Sequence, residues 1–173
     1  TNESASASLL KPSGHLKYHP EVIFKDTENI EIHPYDEFDL SNINYLNIDI
    51  QGYELEALKG SENSLRKYIE YIFIEVSRKE LYEGSALVKD LDEFLEKLNF
   101  IRVETKWVSY RIPWGDALYI KRKQVSKGRI LLFNLRKFIE RYSLYYLITD
   151  LIRKLKKLKY KIKQTIKGLI TKK

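Results

Sequence analysis

Two acidic residues stand where predicted buried strands end. Asp49 is the last residue but one of the β-rich run 43–50, and Glu75 is the last residue but one of a second run, 68–76. Ligands of open α/β sheets bind beyond the carboxyl ends of the strands, so both carboxylates are expected at one rim. Gly52 allows a tight turn after the first run. Carboxylates at such a rim can accept a proton from a substrate or orient it. The alternative is that Asp49 caps the next helix and Glu75 is solvated.

The histidines suggest a second chemistry, metal binding. His15 and His19 have the i, i+4 spacing of a metal-binding pair on a helix. Pro12, Gly14 and Pro20 disfavour a helix there, and no carboxylate follows at a metal-site spacing. We therefore expect no metal site and interpret both residues as loop histidines that face solvent or substrate.

Three aromatic residues, Trp107, Tyr110 and Trp114, lie around a predicted turn between the last two strands. Aromatic rings there could form a wall for a sugar-like substrate. The alternative is that they pack within the hairpin and at the edge of the sheet.

A predicted alternation of strands and helices positions these residues. Strands are predicted at 21–25, 29–35, 43–50, 68–76, 100–108 and 116–122, and helices at 53–68 and 87–98. The runs 43–50 and 68–76 are nearly continuous, which is typical of strands covered on both faces. This pair should be parallel, with a right-handed helical crossover. The last two strands should form an antiparallel edge pair, with Trp114 and Gly115 in the turn region. The predicted fold class is α/β with three layers.

The charge divides the chain into two parts. The 173 residues have a net charge of +7. Residues 121–173 hold 18 bases and 2 acids, a net charge of +16, which leaves −9 for residues 1–120. We therefore predict two domains, residues 1–122 and a basic extension, residues 123–173. The absence of cysteine excludes disulfides and Cys-ligated metals and fits a reducing compartment. The first ten residues lack the features of a signal peptide.

The basic extension has the pattern of a long amphipathic helix. Apolar residues recur at three- and four-residue steps among lysines, at Leu151, Leu155, Leu158, Ile162, Ile166 and Leu169. No uncharged run approaches the roughly 20 residues that span a bilayer. A basic amphipathic helix favours binding at an anionic membrane surface. Packing against protein and contact with nucleic acid are the alternatives.

Several segments between residues 4 and 122 together resemble FkbM-family methyltransferases: "NIDIQGYELEALKG", "YIFIEV", "LDEFLEKLNFIRVETK" and "WGDALYIKR". The family motif is Asp-hydrophobic-Glu-Gly-x-Glu followed by Leu-Lys-Gly. It matches residues 49–60, with Gln51 in place of Glu. "SASLLKPSGHLKYHP" is similar to the Ser-rich segment and His-bearing loop that precede this motif in one branch of the family.

The resemblance implies a Rossmann-like domain that transfers a methyl group from S-adenosylmethionine. The acceptor would be a hydroxyl on a glycan, a lipid or a small metabolite. Asp49 and Glu75 are the implied catalytic residues. Asp49, Gly52, Ser6 and Ser8 are the implied cofactor-binding residues.

The resemblance covers the carboxyl half of such a domain. The family's main cofactor motif is glycine-rich, and no Gly-x-Gly run precedes Asp49. We therefore expect a partial catalytic domain over residues 1–122, with an open sheet edge and weak or absent cofactor binding by this chain alone. The expected location is cytoplasmic or peripheral at a membrane. A non-enzymatic membrane-associated or adaptor module is the alternative function.

Overall fold

The computed structural model describes residues 4–109, 111–141, 151–152, 154–160 and 163. The chain divides into two compact units, Thr1–Phe133 and Asn134–Lys173. The sheet and the candidate site belong to the first unit.

Four strands and four α-helices follow one another along the described chain. The elements are β1 (Tyr45–Ile48), α1 (Glu54–Lys59), α2 (Glu62–Lys67), β2 (Tyr71–Ser77), α3 (Val88–Lys97), β3 (Phe100–Trp107), β4 (Trp114–Lys121) and α4 (Lys127–Arg141). Short 3-10 helices occupy Ser4–Ser6, His15–Lys17, Tyr35–Glu37 and Arg122–Gln124.

The prediction of two strands before β1 is wrong. Residues 21–25 and 29–35 form no strand. Ile30 and Ile32, the alternating apolar residues of the second segment, are exposed. Alternation alone does not make a strand, because a strand also needs a neighbour that satisfies its backbone hydrogen bonds.

The single helix predicted over 53–68 is also wrong, because it is divided into α1 and α2. The division falls at Gly60 and Ser61. Ser61 Oγ donates to the carbonyl oxygens of Ala57 at 2.9 Å and Leu58 at 3.1 Å. Serine side chains that bond to the preceding turn compete with the helical backbone pattern.

Among the described residues, four strands form one mixed sheet in the order β1-β2-β4-β3. β1 and β2 are parallel, which confirms the predicted pair. β4 is antiparallel to both β2 and β3, so the last pair is antiparallel as predicted. However, β4 lies inside the sheet, so of these last two strands β3 alone is at an edge. Trp114 and Gly115 belong to β4 and not to a turn. A Cβ on Gly115 would collide with the carbonyl oxygen of Lys106, so glycine allows β3 and β4 to approach closely there.

The hydrophobic core lies on one face of this sheet. Alternate residues of β1 and β2 join residues of α1, α2 and α3 in one buried cluster, among them Leu46, Ile48, Ile72, Ile74, Leu58, Leu65, Leu91 and Leu95. The intervening Tyr45 and Phe73 are exposed. The prediction that both strands are covered on both faces is therefore wrong for the described residues. Tyr and Phe make a strand look uniformly apolar, although their rings can remain on the solvent side.

A buried ion pair fixes α3 against the far strands. Arg102 of β3 donates through Nε and Nη2 to the two carboxylate oxygens of Asp92, each at 3.0 Å. Tyr119 of β4 donates to the same carboxylate at 2.9 Å. A bidentate pair with additional donors has a defined geometry. It therefore sets the position of α3 on the sheet that carries the candidate site.

The carboxyl-terminal region is helical where the structure describes it. α4 is followed by helical residues at 151–152, 154–160 and 163. Within the described residues, no helix has the length and apolar character needed to cross a bilayer. Ile162, Ile166 and Leu169 of the predicted apolar stripe lie outside the described residues.

Candidate functional site

The turn after β1 uses backbone conformations that few residues adopt. Gln51 has a φ of 54° and Gly52 a φ of 102°. Glycine adopts such a conformation without steric cost. A Cβ at position 52 would also lie 3.0 Å from Ser85 Cβ and 3.1 Å from Tyr82 Cδ2. Gly52 is therefore needed both for the conformation of the turn and for its packing against residues 82–85.

Glu54, the first residue of α1, holds this turn together. Its Oε1 accepts the backbone N–H of Gly52 at 3.0 Å and that of Ile50 at 3.3 Å. The side chain is buried. Burial raises the pKa of Glu54 and the charge of Asp49 adds to this, whereas the hydrogen bonds from the turn oppose it. The second acid of the motif thus fixes the backbone that leads from β1 into α1.

Gln51 connects Asp49 to Tyr82. Its Nε2 donates to Asp49 Oδ1 at 2.9 Å, and its Oε1 accepts the Tyr82 hydroxyl at 2.8 Å. An amide can donate and accept at the same time, whereas an ionised glutamate can only accept. Gln51, which replaces the Glu of the family motif, therefore makes possible the hydrogen bond that orients Asp49.

Asp49 and Glu75 meet at one rim of the sheet, which confirms the geometric prediction. Ile48 is paired with Ile74, so the residues that follow them lie at the same level. Carboxylate oxygens of Asp49, Glu54 and Glu75 all lie within 4.8 Å of one another. β2 continues to Ser77, so Glu75 lies inside the strand and not at its last residue.

The environment of Glu75 favours its protonated form. Burial raises the pKa of Glu75 to about 8, and the charges of Asp49, Glu54 and Asp116 act in the same direction. Burial also raises the pKa of the Tyr82 hydroxyl, which therefore remains a hydrogen-bond donor to Gln51. At neutral pH the rim therefore offers a protonated Glu75 beside the exposed carboxylate of Asp49.

The same three carboxylates, Asp49, Glu54 and Glu75, have the spacing of a cation site. From the sequence, a metal site was considered only at His15 and His19. The centroids of their rings are 5.1 Å apart, and the two residues do not lie on an α-helix. Acidic side chains alone do not define a metal centre, so the prediction of no metal stays a prediction.

The segment before the sheet is fastened to the loop that follows β2. The N–H groups of Ser13 and His15 donate to the Leu81 carbonyl oxygen at 3.0 and 2.9 Å. The N–H of Glu83 donates to the Lys11 carbonyl oxygen at 2.8 Å. These hydrogen bonds hold the loop of His15 and His19 against residues 81–83. Tyr82 of that segment packs on the turn at Gly52.

Ser8 reaches the turn directly. Its Oγ donates to the carbonyl oxygen of Gln51 at 2.6 Å. Ser6 is buried in the same unit. The structure therefore brings one of the two predicted serines into contact with the segment that carries Asp49.

A stack of rings leads from the turn to the start of β4. Tyr82 lies 5.3 Å from His15, His15 lies 5.1 Å from His19, and His19 lies 5.4 Å from Trp114, measured between ring centroids. Sequence reasoning missed Tyr82, because it lies in an irregular loop without periodicity. Gly84, two residues later, was the one available turn signal.

The predicted aromatic wall is divided between two places. The Trp107 ring lies 3.9 Å from Arg78 Cζ and packs against the core. Trp114 contacts Tyr18 and His19, each at 5.4 Å. Both tryptophans therefore have packing roles, and Tyr110 lies outside the described residues.

The comparison with protein families covers the part of the chain that contains this site. Residues 3–102 match the family model of the methyltransferase FkbM domain. This region contains the histidine loop, the turn, the rim and α3, and it ends within β3. Neither the curated proteins nor the solved structures gave a match. Because the family match spans more than half of the chain, this protein belongs to the FkbM methyltransferase family.

Proposed function

We propose that the rim of Asp49 and Glu75 positions a hydroxyl group for methylation by S-adenosylmethionine. The hydroxyl would belong to a glycan, a lipid or a small metabolite. Membership of the FkbM family implies methyl transfer from S-adenosylmethionine. The observation that carries the proposal is the approach of the Asp49 and Glu75 carboxyl oxygens to within 4.8 Å beside a turn built from the family motif.

The residues at the rim suit a positively charged group. S-adenosylmethionine supplies an electrophilic methyl group on a sulfonium cation. A cation beside Asp49 and Glu75 would offset the carboxylate repulsion that helps to raise the pKa of Glu75. Asp49 and Ser8 are the proposed contacts, and Ser6 remains a predicted one. A side chain at position 52 would point toward Tyr82 and Ser85. The proposed contribution of Gly52 is therefore the conformation of the turn.

The proposed roles follow from the protonation of the two carboxyl groups. Asp49 accepts the proton of the acceptor hydroxyl while the oxygen–methyl bond forms and the carbon–sulfur bond breaks. Gln51 holds Asp49 through its 2.9 Å hydrogen bond, so the base is already oriented. Protonated Glu75 donates a hydrogen bond that helps to hold the acceptor. Environments that separate the protonation of neighbouring groups in this way permit acid and base roles at one pH.

The topology supports a Rossmann-like domain of which this sheet is the later half. β1 and β2 form a parallel pair, and the two strands that follow in the chain form an antiparallel pair. Among the described strands, β2 is the one that pairs with β1, so β1 is an edge strand there. The exposed face that carries Tyr45 and Phe73 is where a third layer would pack. The three-layer architecture is therefore proposed for the complete domain.

Substitution of Asp49 tests this function in the natural protein. We expect Asp49→Asn to lower kcat by about 100-fold or more, because general-base contributions are typically of that size. Glu75→Gln is the matched control, because glutamine keeps a hydrogen-bond donor. It should lower kcat at pH 7 by less than about tenfold.

The measurement is release of S-adenosylhomocysteine with a panel of hydroxyl compounds. Turnover that does not change in Asp49→Asn would remove Asp49 from the mechanism. A larger loss in Glu75→Gln than in Asp49→Asn would reverse the two proposed roles.

A further inference from the structure

The carboxyl-terminal region carries an exposed apolar stripe that no function proposed above uses. Leu151, Leu155 and Leu158 follow one another at helical spacing, and each exposes more than half of its surface. Ile152 extends the stripe on one side and is 46% exposed. Residues 151–163 are called the basic segment here, and the structure describes them at 151–152, 154–160 and 163.

The charged residues around this stripe, within residues 151–163, are all basic. The basic segment contains seven Lys and Arg residues and no Asp or Glu. Lys156, Lys157 and Lys159 lie between and beside the apolar positions and are exposed. An apolar stripe with cationic residues on both sides matches the interface of an anionic bilayer, where side chains enter the acyl boundary and lysines meet the headgroups.

α4 repeats the same arrangement within its own length. Leu131, Leu135 and Phe138 have the same spacing as the three leucines of the basic segment, and each is also more than half exposed. Leu132 follows Leu131, as Ile152 follows Leu151, and is 47% exposed. Two helical stretches therefore present the same pattern.

We infer that the basic segment docks this protein on the surface of an anionic membrane. Self-association through the stripe is less favourable, because it would bring the cationic flanks of two copies together without acidic partners. Nucleic acid would match the charge but would not use the continuous row of exposed leucines. A membrane surface accounts for both features.

Two variants separate the apolar and the electrostatic contributions. Leu151→Gln, Leu155→Gln and Leu158→Gln together remove the stripe and keep the charge. Lys156→Gln, Lys157→Gln and Lys159→Gln together keep the stripe and remove three charges. The control changes three exposed lysines of the first unit, Lys17, Lys25 and Lys97, to Gln and therefore makes the same change in net charge.

The test is flotation of the full 173-residue chain with phosphatidylcholine vesicles, with and without one quarter phosphatidylglycerol. We expect wild-type flotation only with the anionic vesicles and weaker flotation at 0.5 M salt. Each tail variant should partition at least about tenfold less than wild type. The control should partition within about twofold of wild type, because its lysines lie outside the proposed surface.

Three results would overturn the inference. The first is no flotation, or equal flotation with neutral vesicles. The second is a dimer in solution that the leucine variant dissociates, without vesicle binding. The third is binding to a random DNA duplex that the lysine variant loses and the leucine variant keeps. None of these depends on methyl transfer, so the membrane inference can fail while the proposed function stands.

Discussion

Glu75 and Asp49 show how position alone gives different properties to two carboxyl groups at one rim. Asp49 is exposed and accepts a hydrogen bond from Gln51. Glu75 is partly buried inside β2, where burial and three neighbouring acids raise its pKa to about 8. The side chains lie together because β1 and β2 are parallel and in register. The rim therefore combines an exposed carboxyl group with a partly buried one whose protonated form is favoured.

The raised pKa of Glu75 makes stability depend on pH. Between pH 4.5 and about 8 the folded state holds more protons at this site than the unfolded state does. The contribution to the free energy of unfolding is therefore complete below pH 4.5 and is lost as the pH rises through 8. We expect a loss of about 2 kcal/mol, less than the full shift would give, because water reaches the side chain.

Comparison with Glu75→Gln isolates this contribution. Urea unfolding at pH 5 and pH 8.5 should show that the variant gains stability relative to wild type as the pH rises. Glu104→Gln, a substitution at an exposed glutamate of β3, should show no such trend. A difference between Glu75→Gln and wild type that is the same at both pH values would contradict the raised pKa.

At the scale of elements, Asp36 holds the long segment before β1 against the helices. It lies in a 3-10 helix and accepts the N–H groups of Asn63 and Ser64, both at 2.8 Å, at the first turn of α2. Ser64 Oγ donates to the same carboxylate at 2.7 Å. Burial opposes the ionised form, but these hydrogen bonds outweigh it and lower the pKa of Asp36. The first turn of α2 is therefore capped by Asp36, from a distant segment, and not by the side chain of its own N-cap residue.

Asp36→Ala should lower the free energy of unfolding by about 1 to 2 kcal/mol, because two N–H groups of α2 lose their acceptor. Asp39→Ala is the matched control. Asp39 is exposed and accepts only the nearby N–H of Ser41, at 3.0 Å, in the described contacts. Its loss should have a clearly smaller effect on the free energy of unfolding than the loss of Asp36. Equal effects in chemical denaturation would show that the contact with α2 contributes nothing specific.

For the whole molecule, the division of charge coincides with a division of predicted roles. The acidic sheet region carries the rim, and the basic region carries the exposed apolar stripe. A family member that acts at a bilayer would use the first for chemistry and the second for location. The flotation experiment and the turnover experiment address these roles separately.

The sequence also predicts how the 173-residue chain responds to the cofactor alone. It has no Gly-x-Gly run before Asp49, and the family resemblance implies that such a run supplies the main cofactor contacts. We expect titration calorimetry with S-adenosylmethionine to show a Kd weaker than about 1 mM, which corresponds to less than about 4 kcal/mol of binding free energy. Micromolar binding by the chain would contradict this expectation.

Most of the sheet and the meeting of Asp49 with Glu75 were predictable from the sequence. Strand periodicity and the short crossover make a parallel pair the favoured arrangement, and a parallel pair necessarily brings its carboxyl ends together. The turn at Gly52 was predicted from its residue type, and Gly52 and Glu54 both belong to the family motif over residues 49–60. These features depend on residues close in sequence, so their physical causes are visible in the order of the amino acids.

Other features were decided only by the tertiary structure. The position of β4 between β2 and β3, the stack from Tyr82 to Trp114 and the cap of α2 by Asp36 join residues that are far apart in the chain. The runs 21–25 and 29–35 alternate like strands but have no strand partner. The sequence determined which residues carry the chemistry, because residue type and local pattern are properties of the chain itself. The fold decided which of them meet and which are buried, because long-range pairing and desolvation exist only after the chain has packed.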